Sequence, residues 1–151
     1  MEFQEFTITK MKLEDIDEIV SMETNPSILW SKNMFIEELK NPHSYCFIFK
    51  KNSDFDQKII GFICFRNIGE ESEILNIYVH PKYRQLGIGK KIMQFYINFC
   101  QAQNIKKLYL EVNTSNQPAI HLYKLFSFKS VGIRKKFYQG KFDAYQMLKE
   151  L

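Results

Sequence analysis

The chain lacks the features of a membrane, secreted or metal-binding protein. No apolar run approaches the ~20 residues that span a bilayer, and Met1–Glu5 shows no charged-then-apolar signal. The cysteines Cys46, Cys64 and Cys100 are odd in number and widely separated, so buried free thiols are expected rather than disulfides or a metal knuckle. The histidines have no spacing that pairs two on one helix face. We therefore expect a cytoplasmic protein with no membrane contact and no metal.

Strong charge of one sign and linker-like segments are also missing. The formal net charge is +4, and the basic residues come in scattered pairs rather than in an arm or tail. Such pairs are typical of solvated faces, so no nucleic-acid partner is expected, although one or two pairs would suffice for a nucleotide-like polyanion. The 151 residues contain no repeat or low-complexity tract. We predict one domain over residues 1–151, acting as a monomer.

Apolar periodicity predicts seven strands and four helices. Alternating or continuous apolar and β-branched residues indicate strands over residues 6–9, 45–51, 59–68, 73–79, 107–112, 128–134 and 142–148. Three- and four-residue spacing indicates helices over residues 13–23, 34–39, 88–100 and 118–126. Ser31 and Asn116 stand where the N-caps of the second and fourth helices are expected. A long helix joins the fourth and fifth strands, so these two are expected to be parallel. The predicted class is α+β, with a mixed, mostly antiparallel sheet of about seven strands and a central βαβ crossover.

The stretch from Ile77 to Lys90 joins a strand end, a loop with two glycines and a helix start. Gly87 and Gly89 would let backbone N–H groups approach a ligand, and the first N–H groups of a helix attract anions. Lys82 and Arg84 add positive charge nearby. The pattern suits a pyrophosphate; an ordinary glycine-rich turn before a helix is the alternative.

Two better-known phosphate motifs are excluded. A dinucleotide fingerprint would need a third glycine where Ile92 stands, and a Walker loop would need four residues between its glycines. The run Arg84–Gly89 instead resembles the Arg/Gln-x-x-Gly-x-Gly/Ala signature of the GNAT acetyltransferases. The resemblance implies the GNAT fold and an acetyl-CoA-dependent N-acetyltransferase.

Other segments resemble the RimI type of bacterial ribosomal-protein-alanine N-acetyltransferases. These segments are Trp30-Ser31, Leu110–Val112, Ser115-Asn116, Ala119-Ile120, Leu122-Tyr123, Phe128 with Gly132, Arg134–Tyr138 and Asp143-Ala144. Two residues depart from the family pattern. Ser127 stands where the family usually has glycine, and Phe142 stands where an acidic residue often precedes the Asp-Ala pair.

The resemblance implies a set of site residues. Glu111 would be the general base, directly or through water, and Tyr123 would protonate the leaving thiolate; a solvent-facing strand residue and helix packing are the structural alternatives. Trp30 and Tyr138 would flank the acceptor, with core or hairpin packing as their alternative. The implied cofactor-binding residues are Ile77, Tyr78, Val79, Arg84, Gln85, Leu86, Gly87, Ile88, Gly89, Lys90 and Asn116.

The implied reaction moves the acetyl group of acetyl-CoA to the N-terminal α-amine of a protein, such as a ribosomal protein beginning with alanine. An α-amine has a pKa of ~7.7–8.0 and lysine ~10.4, so the first loses its proton more easily near neutrality. A lysine or small-molecule amine acceptor is the second interpretation. A non-catalytic acyl-CoA-binding module is the third, and it would need neither Glu111 nor Tyr123.

Overall fold

A computed structural model of the chain describes residues 6–22, 30–52, 58–84, 86–138 and 142–151, without the side chains of residues 136–138. These residues form seven strands and four α-helices. The strands are β1 (Phe6–Lys10), β2 (Ser44–Lys51), β3 (Lys58–Ile68), β4 (Glu71–Val79), β5 (Lys107–Asn113), β6 (Lys129–Tyr138) and β7 (Phe142–Glu150). The helices are α1 (Ile16–Ser21), α2 (Lys32–Lys40), α3 (Ile88–Ala102) and α4 (Gln117–Leu125).

The strands form one sheet in the order β1-β2-β3-β4-β5-β7-β6. β1 pairs antiparallel with β2, and β7 pairs antiparallel with both β5 and β6. β4 pairs parallel with β5 from Glu71 opposite Lys107, so β4, α3 and β5 form the predicted crossover. The predicted class, a mixed and mostly antiparallel α+β sheet, is confirmed.

The described residues pack as two compact units. The first lies within Met1–Phe65 and Asn76–Ile92, and the second within Arg66–Leu75 and Met93–Leu151. In the first unit, Phe62 of β3 contacts Phe35 of α2 edge-on and stacks on Tyr78 of β4, with ring centroids 5.5 and 5.7 Å away. In the second unit, alternate residues of β5 are buried: Leu108, Leu110 and Val112. The prediction of one domain over the whole chain stays a prediction.

Two helix starts show how local signals set the element boundaries. Ser31 caps α2, as predicted, because its hydroxyl oxygen accepts a hydrogen bond from the Met34 amide at 3.2 Å. The helix predicted from residue 13 instead begins with a 3₁₀ turn at Leu13–Asp15 and becomes α-helical at Ile16. The Asp15 carboxylate accepts from the Lys12 amide at 2.8 Å, and this local bond fixes the tighter turn.

No described helix has the length and apolar character needed to cross a membrane.

The end of α4 is a Schellman motif with serine at its left-handed position. Ser127 has φ +70°, its amide donates to the Lys124 carbonyl, and the Phe128 amide donates to the Tyr123 carbonyl. The rings of Tyr123 and Phe128 are 6.0 Å apart, which is the apolar contact that accompanies this motif. The position that departs from the family's usual glycine is therefore one at which a Cβ is strained.

Replacing Ser127 with glycine should raise the free energy of unfolding by about 0.5–1 kcal/mol. Glycine adopts this φ without the Cβ clash, and this gain is partly offset by the greater conformational entropy that glycine gives the unfolded chain. The measurement is urea denaturation of both proteins. Ser130→Gly, at an exposed position of β6 without positive φ, is the matched control and should lower stability. Equal or lower stability of Ser127→Gly would contradict the assignment of strain.

Candidate active site

The turn before α3 presents the amides that the sequence pattern predicted. The first hydrogen bond inside the helix runs from the Lys91 amide to the Gly87 carbonyl at 3.1 Å. The amides of Ile88, Gly89 and Lys90 precede this bond, so they have no acceptor within the helix. Gly89 therefore lies in the first helical turn rather than in the loop. Gln85 lies outside the described residues.

Gly87 is required for its backbone conformation. Its φ is +83°, and a Cβ built there would meet no heavy atom within 4 Å. Glycine is thus needed to turn the chain into α3, since an L side chain at this φ is strained whatever space surrounds it. The result is a helix start whose backbone donors attract negative charge.

Arg84 ties this turn to the end of β4. Its Nε donates to the Val79 carbonyl at 2.8 Å, and its guanidinium lies 5.3 Å from the centroid of the Tyr78 ring. Between them, the Lys82 amide donates to Nδ1 of His80 at 3.1 Å. Lys82 and Lys90 are exposed. Arg84 was expected to add charge for a phosphate; its described contacts give it a role in shaping the turn.

Glu111 is held by two side chains, one on the adjacent strand β7 and one on β6, the next strand beyond it. Arg134 Nη1 of β6 donates to its Oε1 at 3.2 Å, and Gln146 Nε2 of β7 donates to its Oε2 at 3.0 Å. The Glu111 side chain is 17% exposed, so it is neither a free surface carboxylate nor a core residue. Sequence reasoning missed Gln146 entirely, because only the β5–β7 register reveals that it stands opposite Glu111.

Asn116 and Tyr123 are both fixed by α4. The predicted N-cap is confirmed, because Asn116 Oδ1 accepts from the Ala119 amide at 3.2 Å. Tyr123 is 5% exposed and packs on Phe128, so its ring has the packing role considered as an alternative. The helix thus holds both residues in defined positions.

The two residues expected to flank the acceptor differ in how far they are described. Trp30 is partly buried and contacts Phe35 edge-on, with ring centroids 5.1 Å apart, so it packs at the border of the first unit's core. Tyr138 pairs with Phe142 through the backbone where β6 meets β7. The Tyr138 side chain lies outside the described residues.

Thiol chemistry is disfavoured by the placement of the cysteines. Cys46, Cys64 and Cys100 are free and buried, as predicted. Burial raises the pKa of the Cys64 and Cys100 thiols, so both stay protonated near neutrality and are poor nucleophiles. Among the described residues, no group of three His, Cys, Asp or Glu side chains is placed to hold a metal ion.

A family comparison agrees with this geometry. The model of the Acetyltransferase (GNAT) family matches residues 13–128. That range includes the turn before α3 together with Glu111, Asn116 and Tyr123. The chain therefore belongs to the GNAT acetyltransferase family, and the seven-stranded sheet with its crossover is the GNAT fold.

Individual relatives extend the comparison over most of the chain. A Bacillus subtilis (strain 168) protein named as a putative ribosomal protein bS18-alanine N-acetyltransferase is 32% identical over 136 residues, covering 87% of this chain and 85% of that protein. The crystal structure of the ribosomal-protein-S18-alanine N-acetyltransferase from Escherichia coli superposes with a TM-score of 0.83 at 26% identity, covering 96% of this chain and 93% of that one. Arabidopsis thaliana NAA60, solved with acetyl-CoA, has a TM-score of 0.82 at 21% identity over 97% of this chain and 98% of its own, and shares the fold.

Proposed function

We propose that this chain transfers the acetyl group of acetyl-CoA to the N-terminal α-amine of a protein, with a ribosomal protein beginning with alanine as the favoured acceptor. The observation that carries the proposal is the helix start after Gly87, whose donors suit the pyrophosphate of CoA. Family membership and the names of the B. subtilis and E. coli relatives support it. We further propose that it acts in the cytoplasm as a monomeric single domain.

In this proposal the pyrophosphate binds the amides that open α3. Lys90 adds a charged donor at the same helix start, and Arg84 stabilises the turn through Val79. Asn116 would contact the cofactor through its side-chain nitrogen, because its oxygen already caps α4. The remaining proposed contacts are the main chain of Ile77, Tyr78 and Val79 to the pantetheine arm, and Gln85, Leu86, Gly87, Ile88 and Gly89 to the phosphates.

The proposed chemistry uses Glu111 and Tyr123 at opposite ends of the transfer. Glu111 removes a proton from the acceptor ammonium, directly or through water, and the freed nitrogen lone pair attacks the thioester carbon. The C–S bond then breaks as the amide forms, and the Tyr123 hydroxyl gives its proton to the departing thiolate. The surplus proton on the nitrogen leaves to water, from which the tyrosinate regains a proton. The Tyr123–Phe128 contact supports this role, since a ring fixed by packing holds its hydroxyl in one place.

The acceptor is proposed to enter with its first residue leading. Trp30 and Tyr138 would flank it. Hydrogen bonds to the acceptor's main chain would supply affinity that does not depend on its side chains. A small first residue lets the α-amine come within reach of the thioester. A lysine or polyamine acceptor would not require this selectivity for the first residue.

Replacing Glu111 with glutamine should cost turnover mainly at low pH. At pH 6 an α-amine of pKa ~7.7–8.0 is mostly protonated and needs a base, whereas at pH 9 it is already neutral. We expect a loss on the order of 10²-fold at pH 6 and a much smaller one at pH 9, measured as kcat with saturating acetyl-CoA. Glu150→Gln, an exposed residue at the end of β7, is the matched control. Equal losses at both pH values would argue against Glu111 as the base.

A panel of peptides that differ only in their first residue tests the acceptor. One further peptide carries a blocked amino terminus and an internal lysine, and spermidine serves as the free polyamine. We expect the highest kcat/KM for the peptide beginning with alanine, because its small side chain and less basic amine both favour attack. Faster acetylation of the blocked lysine peptide or of spermidine would contradict the N-terminal assignment.

A further inference from the structure

We propose that Gln146 is a positioning residue for Glu111, holding one carboxylate oxygen so that the other is presented to the acceptor amine. The proposal rests on the proposed role of Glu111 as the base. It adds a function for a β7 side chain that no motif of the sequence singled out.

The strand register places Gln146 beside the base. Glu111 and Gln146 are directly opposite each other in the antiparallel β5–β7 pair, where side chains on one face are close neighbours. Gln146 Nε2 donates to Glu111 Oε2 at 3.0 Å. Because β7 lies between β5 and β6 in the sheet, the Gln146 side chain has a strand on each side. The bond therefore joins two residues whose backbones are fixed by the sheet itself.

Gly132 leaves the room that this arrangement needs. It is the β6 residue paired with Gln146, and it follows a register shift between Ser130 and Gly132. A Cβ built on Gly132 would lie 2.8 Å from Gln146 Oε1, closer than such atoms approach. A side chain at position 132 would therefore push the amide from its place between β6 and Glu111. The Gln146 amide is the end of a flexible side chain, so alanine at position 132 would displace it without forcing the backbone to move; the φ of Gly132 is not positive.

Arg134 contacts the other oxygen of the base from β6, a strand that does not pair with β5, whereas Gln146 lies on the strand that does. Its Nη1 donates to Glu111 Oε1 at 3.2 Å, and its side chain is 53% exposed. The guanidinium end of this ion pair is solvent-exposed, so an incoming cation can replace it at Oε1. The acceptor ammonium is such a cation. It would take the place of Arg134 at Oε1 and pass its proton there, while Gln146 stays at Oε2.

Fixing one oxygen limits rotation of the carboxylate, which brings the other oxygen into line with the proton it receives. Catalytic groups must be held within about 0.5 Å of their productive geometry, and a 1 Å misplacement costs on the order of 10²-fold. Loss of a single orienting hydrogen bond leaves the carboxylate partly placed by its strand. We therefore expect an effect of about tenfold on kcat.

The test is a double-mutant cycle with Gln146→Met and Glu111→Gln, measured as kcat and KM with acetyl-CoA and the alanine peptide. Methionine keeps the length of the side chain and removes its donor. Gln146→Met should lower kcat about tenfold in the parent, change the KM for acetyl-CoA less than about twofold, and have little further effect beside Glu111→Gln. Gln94→Met is the matched control: its Nε2 donates to Asn98 on the surface of α3, and its loss should leave kcat unchanged.

Gly132→Ala provides a second variant, in which Glu111 and Gln146 are both unchanged in sequence. It should reproduce the kcat loss by displacing the amide, and it should add little when Gln146 is already methionine. If Gln146→Met lowered kcat by the same factor in the parent and in the Glu111→Gln variant, the two residues would act independently. That result would overturn the positioning role. Parent-like rates for Gln146→Met and Gly132→Ala, with a slow Glu111→Gln, would overturn it too. A parent-like Glu111→Gln would instead contradict the proposed base.

Discussion

The antiparallel register of β5 with β7 is the constraint on which the placement of Glu111 and its partners in the second unit depends. It sets Glu111 opposite Gln146, and it ends with Asn113 opposite Ala144. The chain continues from that end into the α4 cap, where the Asn116 amide donates to the Asn113 carbonyl at 2.9 Å. A slip of one residue would turn Glu111 to the face occupied by Leu110 and Val112. Burial of those apolar residues therefore fixes the direction of the base.

In the first unit, the amino-terminal turn of α3 exposes backbone donors and is also held firmly in place. The positive φ of Gly87 turns the chain into α3, and Arg84 ties the preceding loop to the Val79 carbonyl. The helix itself is anchored by buried side chains such as Ile88 and Ile92. Donors that are held in place before a ligand arrives need little reorganisation when an anion binds.

Sequence reasoning succeeded where the signal is local. The Ser31 and Asn116 caps, the glycine before α3 and the parallel crossover were all predicted, because each depends on residues within one turn or on element order. The base was predicted through family resemblance, and its role stays a prediction. Sequence reasoning did not identify Gln146, Gly132 or the bond from Arg84 to Val79. The first two depend on which strands pair and in what register, and the third depends on how a loop folds back, neither of which periodicity records.

Ser127 is a second example of a feature that the sequence alone could not explain. The departure from the family's glycine was visible in the sequence, but its meaning required the φ of +70° and the two hydrogen bonds that close α4. The strain is tolerated because those bonds, together with the Tyr123–Phe128 contact, determine the turn. The same turn fixes the ring of the proposed acid, so the local structure and the proposed chemistry depend on one motif.

The most direct test of the proposed activity is to locate the transferred acetyl group. Ribosomal proteins would be incubated with the chain and isotopically labelled acetyl-CoA, and peptide mass spectrometry would assign each label to a residue. The account predicts label on the α-amine of a protein whose first residue is alanine, dependent on active enzyme. Label confined to lysine side chains, or absent from every protein terminus, would contradict it.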